Sequence, residues 1–148
     1  MARPRVAVQH MVACPLIRRY GNVPTSDLLG VAYTYTYTPD LEFPRHLAQL
    51  DLFARLFIYR PGQATFQVRV WRLGADDASQ TRMGRFGPFR VDFEPGYAFL
   101  DQPFRLRHVR LEGVGRYAIR LCQLVKRRWR GEGYRVLATE FLQVMRPS

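Results

Sequence analysis

Phe66-Gln67-Val68-Arg69-Val70-Trp71 decides the fold. Apolar residues at 66, 68 and 70 alternate with polar or amphipathic ones at 67, 69 and 71. A period of two sends one set to a core and the other toward solvent, which is a half-buried β-strand. Arg116-Tyr117-Ala118-Ile119-Arg120-Leu121 repeats the pattern, with Tyr117, Ile119 and Leu121 in one phase.

Working outward, the same period predicts strands over Arg5–Cys14, Leu28–Thr38, Asp51–Arg60, Ala64–Leu73, Phe86–Glu94, Phe104–Leu111, Arg116–Val125 and Tyr134–Met145. The first needs a bulge near Gln9-His10, because Val6 and Val8 share one phase and Met11 and Ala13 the other. The sixth slips phase between Leu106 and Val109. Arg18–Asn22 reads as a turn, as does Gly84–Pro88. His46–Gln49 reads as one helical turn, and Pro61-Gly62 as a hairpin turn. Gly74–Gly84 reads as a mobile polar loop. Eight strands without a long amphipathic helix predict an all-β, antiparallel two-sheet sandwich, immunoglobulin-like or jelly-roll-like. A closed barrel is the alternative.

At 148 residues, 47% of them hydrophobic, the chain fits one domain, 1–148. No apolar run is long enough to span a membrane. Arg3 and Arg5 precede no adequate apolar run, so the expected location is cytoplasmic. Cys14 and Cys122 are then expected as free, mostly buried thiols, with a cross-sandwich disulfide as the alternative.

Several short stretches carry a resemblance. They are Met11-Val12-Ala13-Cys14 closing the first strand, Leu28-Leu29-Gly30-Val31, Phe43-Pro44, and Gly115-Arg116-Tyr117-Ala118-Ile119-Arg120-Leu121. Together they resemble an uncharacterised family of small bacterial β-sandwich proteins, an Ig-like domain of unknown function. The resemblance implies a sandwich and no particular activity.

Catalytic and metal signatures are not found. Ser26, Ser79 and Ser148 lie in no Gly-x-Ser-x-Gly elbow. His10 and Cys14 would stand roughly 13 Å apart on a regular strand, too far to share a metal. His108 and Cys122 form a Cys–His pair only if their strands are neighbours. Asp92 with Glu94, and Asp76 with Asp77, have no evident cleft between them. No catalytic residue, metal ligand or cofactor is expected, although a hydrolase with an unrecognised site is a third reading.

Charge and aromatics remain. The net charge is +11, and Lys126 is the only lysine among 23 basic residues. Such a surface attracts polyanions and acidic proteins. Tyr33, Tyr35 and Tyr37, with Phe53, Phe57 and Tyr59, are the candidate protein-binding face. They fit a binding or assembly module that engages a protein partner or its own copy. The alternative is nucleic-acid binding through Lys126-Arg127-Arg128-Trp129-Arg130 on a hairpin tip, aided by Arg18 and Arg19.

Overall fold

The computed structural model describes residues 5–14, 16–19, 26–29, 34–36, 45–75, 79–127 and 131–145. The strands are β1 (Arg5–Cys14), β2 (Leu16–Arg19), β3 (Ser26–Leu29), β4 (Thr34–Thr36) and β5 (Arg45–Arg60). They continue with β6 (Gly62–Leu73), β7 (Gln80–Phe93), β8 (Phe99–Leu111), β9 (Gly115–Arg127) and β10 (Gly131–Met145). No helix among the described residues is long and apolar enough to cross a membrane.

Two antiparallel sheets face each other across the core. The smaller has the order β1-β5-β8, and the larger β10-β9-β6-β7. The short β4 joins the larger sheet beside β10, in parallel. β2 and β3 form a separate hairpin, and β2 lies against β5. The β5–β6, β7–β8 and β8–β9 connections pass from one sheet to the other, whereas β6–β7 and β9–β10 are hairpins within the larger sheet. This is the connection pattern of an immunoglobulin-type sandwich rather than a jelly roll.

The alternation explains the layers. Ala64, Phe66, Val68 and Val70 of β6 are buried with Ile119 and Leu121 of β9, and opposite them lie Leu50, Leu52, Leu56, Phe104 and Leu106 of the smaller sheet. Phe66 meets Phe104 edge-on at 5.6 Å and Phe93 at 6.2 Å, the geometry that ring quadrupoles favour. Tyr117 stands at the start of β9, fully buried. Its hydroxyl donates to the Gly113 carbonyl at 2.7 Å and accepts from the Glu112 and Gly113 amides at 3.1 Å. One side chain thus satisfies three backbone groups of the β8–β9 turn, as the tyrosine corner of Ig-type sandwiches does.

Both anticipated phase slips are present. Register shifts between Val8 and His10 in β1. In β8 the inward phase slips at His108, where φ is 57°, so that Leu106 and Val109 both face inward while the register with β5 is kept. Several connections differ from expectation. Pro61-Gly62 is a crossover, because β5 and β6 lie in different sheets. His46–Gln49 belongs to β5, where its backbone pairs with β8. Arg18 and Arg19 lie in β2 and pair with Asp27 and Ser26 instead of forming a turn. Gly84–Pro88 is strand, with a bulge at Gly87. Gly87 has φ 119°, and a Cβ there would sit 3.0 Å from the Phe66 carbonyl, so only glycine fits without a shift. The strand expected over Leu28–Thr38 is divided between β3 and β4, which pair with different partners. Strand propensity favours a pleated, half-buried setting, but it does not choose the neighbour.

Candidate functional site

The proposed aromatic face is dispersed. Phe53 is buried at 6% exposure, between Val12 of β1 and Pro103 of β8, so it adds nothing to the surface. Phe57 and Tyr59 are exposed, at 37% and 68%. Tyr35 lies in β4 with its backbone opposite Val144, and Tyr33 and Tyr37 lie outside the described residues. The segment around Tyr97–Phe99 borders this face. It lies alongside β5, with the Ile58 amide donating to the Ala98 carbonyl at 2.9 Å.

One buried ion pair lies on this face. Asp101 is fully buried and accepts two hydrogen bonds from Arg55, at 2.7 and 3.0 Å. That hydrogen bonding is the main cause that raises the Arg55 pKa above its ordinary value. Arg55 also lies over the Phe99 ring at 5.0 Å.

The basic tip is in part confirmed as a hairpin. Lys126 pairs with Glu132, and Arg127 with Gly131, closing β9 onto β10; Arg128, Trp129 and Arg130 lie outside the described residues. β9 therefore carries Lys126 on the larger sheet, whereas Arg18 and Arg19 belong to the separate β2–β3 hairpin.

A different constellation appears on the outer face of the larger sheet. Arg69 of β6 stands directly opposite Arg85 of β7 and Arg120 of β9. Three arginines thus form one row across three strands, with neighbouring backbones about 4.8 Å apart; the Arg69 head group leans toward Gln67 and that of Arg120 toward Gln80. Like charges directly opposite destabilise a sheet. Among the described residues, the hydrogen-bond acceptors for Arg69 and Arg120 are the neutral side chains of Gln67 at 2.7 Å and Gln80 at 2.9 Å. The next row holds Arg82, Trp71, Ala118 and Phe141.

Rings and cations interleave diagonally on this face. Arg120 lies over Trp71 at 5.7 Å, Arg69 over Tyr134 at 5.4 Å and Arg116 over Phe141 at 4.1 Å. Phe141 is 39% exposed. The Trp71 indole nitrogen is buried and has no acceptor among the described residues. The acidic residues whose register places them on this face, Asp92 and Glu132, sit toward the Lys126 end and away from the arginine row. Beneath the row lies Cys122, a free and fully buried thiol. Burial pushes its pKa up, while Arg69 and Arg120 pull it partly back.

The arrangement can hold anions and stack planar groups. Acid–base chemistry finds little support. His108 and Cys122 lie on strands of different sheets, so the Cys–His pair does not form. His10 and His108 are exposed, and no group of three potential metal ligands occurs among the described residues. Asp92 accepts a hydrogen bond from Gln63 at 3.2 Å. A cleft of roughly 620 Å³ opens at the end of the sandwich opposite Lys126, near Arg72, Ser79 and Arg116. Among the described residues its lining has no carboxylate, histidine or cysteine, and Arg72 is held there by the Val114 carbonyl at 3.1 Å.

Sequence reading placed Arg69, Trp71, Arg116 and Arg120 in the solvent phase but did not single them out as a site. The missing information was register, which turns scattered arginines into a row. In comparisons with known proteins, no family model and no curated protein matches the chain.

Proposed function

We propose that this protein is a non-enzymatic binding module whose working surface is the outer face of the β10-β9-β6-β7 sheet. Its partner is anionic. The observation that carries this reading is the Arg85–Arg69–Arg120 row, a like-charge alignment without a carboxylate in its midst among the described residues. Such a row costs folding stability, and an anion laid across it removes the repulsion. The net charge of +11 supplies long-range attraction, and the row supplies the address.

The test is retention on a heparin column. Arg69→Glu/Arg85→Glu is compared with Arg105→Glu/Arg107→Glu, which alters net charge equally on β8. The first variant is expected to elute at markedly lower salt than the second. Equal shifts would reduce the attraction to net charge alone and overturn the reading.

A second reading is assembly through the opposite sheet. Phe57, Tyr59 and Tyr97 are exposed near one another at the β5–β6 end, with Arg5 over Tyr59 at 5.7 Å. Light scattering at high salt tests it: a discrete oligomer lost in Phe57→Ser/Tyr59→Ser supports it, and a monomer removes it.

A further inference from the structure

We propose that the anionic partner of this face is a single-stranded nucleic acid, its phosphates on the Arg85–Arg69–Arg120 row and its bases against Trp71 and Phe141. The inference rests on the binding reading above and narrows it to one class of ligand.

Charge alone does not choose among anions; the rings do. An acidic peptide offers carboxylates to the arginines but no planar groups for the aromatic row. A strand with unpaired bases offers both in alternation. The sheet has the matching alternation, since the backbone positions of the arginine row and the aromatic row lie on the same face, one pleat repeat apart, roughly 7 Å. Within the aromatic row, Trp71 and Phe141 flank Ala118, which is fully buried between them. Single-strand binders combine a cationic track with stacking rings, and sheet-face aromatics stack bases in RNA-recognition modules. Duplex bases are already stacked on one another, so they cannot use the rings.

The arginines that cover rings fit this assignment. A guanidinium plane over an aromatic ring is itself a stacking surface for a base. Arg82 and Arg85 are exposed, so their guanidinium groups are open to phosphate. The face continues along β9 and β10 to Lys126, about 20 Å from Arg120 at strand rise. Lys126 thus extends the same track.

The experiment is fluorescence anisotropy of labelled oligothymidylate across a salt series, with the full chain. Each phosphate contact on a single strand contributes about −0.7 to the slope of log K against log salt. Arg69→Ala/Arg85→Ala/Arg120→Ala is expected to flatten the slope by about 2. Phe141→Ala is expected to weaken binding roughly fivefold or more while leaving the slope unchanged. Arg107→Ala on β8 should leave affinity within about twofold, the small effect of one distant charge. Circular dichroism melting accompanies each variant, so that loss of fold is not counted as loss of binding.

Three results overturn the inference. They are an unchanged slope in the triple variant, tighter binding of a duplex than of the single strand, and displacement of the oligonucleotide by polyglutamate at equal charge. In the last two cases the face still binds an anion, so the broader reading stands. If neither oligothymidylate, polyglutamate nor heparin binds, both fall together.

Discussion

The two outward faces of the sandwich treat arginine in opposite ways. On the smaller sheet, Arg55 is locked to the fully buried Asp101 by two hydrogen bonds, and Phe53 beside it is covered. On the larger sheet, Arg69 faces two more arginines, and its hydrogen-bond partner is a neutral glutamine. The first arrangement keeps its charges within the fold. The second leaves its positive potential directed at solvent. The contrast teaches that net charge is a poor guide to a working surface, whereas the placement of the counter-charges is informative.

The comparison breaks first at Arg55. Arg55→Ala leaves Asp101 buried without its guanidinium, and breaking a buried pair costs about 3–5 kcal/mol. Melting should fall by roughly 6–15 °C at this chain length. Asp101→Asn should cost less, because Arg55 is 32% exposed and can recover water. A loss under about 1 kcal/mol for Arg55→Ala, read from urea unfolding, would put the two faces on the same footing.

Tyr117→Phe calibrates the inward side of the larger sheet. It leaves two amides and a carbonyl of the β8–β9 turn without their partner, at a cost of about 1–3 kcal/mol. The unfolding midpoint checks it. Arg69→Ala and Arg85→Ala should instead stay within about 0.5 kcal/mol of the parent, or stabilise it, since each removal relieves repulsion. If Arg69→Ala costs as much as Tyr117→Phe, the row is part of the structure and not a surface held ready for a partner.

The smallest expected effect concerns Cys122. Its folded pKa is raised by burial, so its contribution to stability is complete below the unfolded thiol value, about 8.5, and is lost as pH rises through the folded value. Unfolding midpoints measured between pH 7 and 10 should therefore fall less in Cys122→Ala than in the parent. Arg69→Ala removes a cation that lowers this pKa, so it should push the thiol higher and slow its alkylation.

Much of the fold could be read from the sequence where burial leaves a periodic trace. The bulge at Gln9-His10 and the slip near His108 were visible because each flips the apolar phase of its strand. The crossover at Pro61-Gly62 was not visible. A proline-glycine turn looks the same whether it joins hairpin partners or carries the chain to the facing sheet. The β3–β4 division was hidden for a related reason, as the alternating tyrosines and threonines favour extended backbone without naming a neighbour. The arginine row depends on which residues stand side by side across β7, β6 and β9, and no local pattern encodes that.

Side-chain nitrogen NMR of the arginine Nε–Hε groups, during titration with inorganic polyphosphate, tests the central claim most directly. The account predicts that the Arg69, Arg85 and Arg120 resonances shift together and saturate while Arg55 stays fixed. Shifts confined to Arg5 and Arg60 at the β5–β6 end, or spread evenly over all arginines, would contradict it.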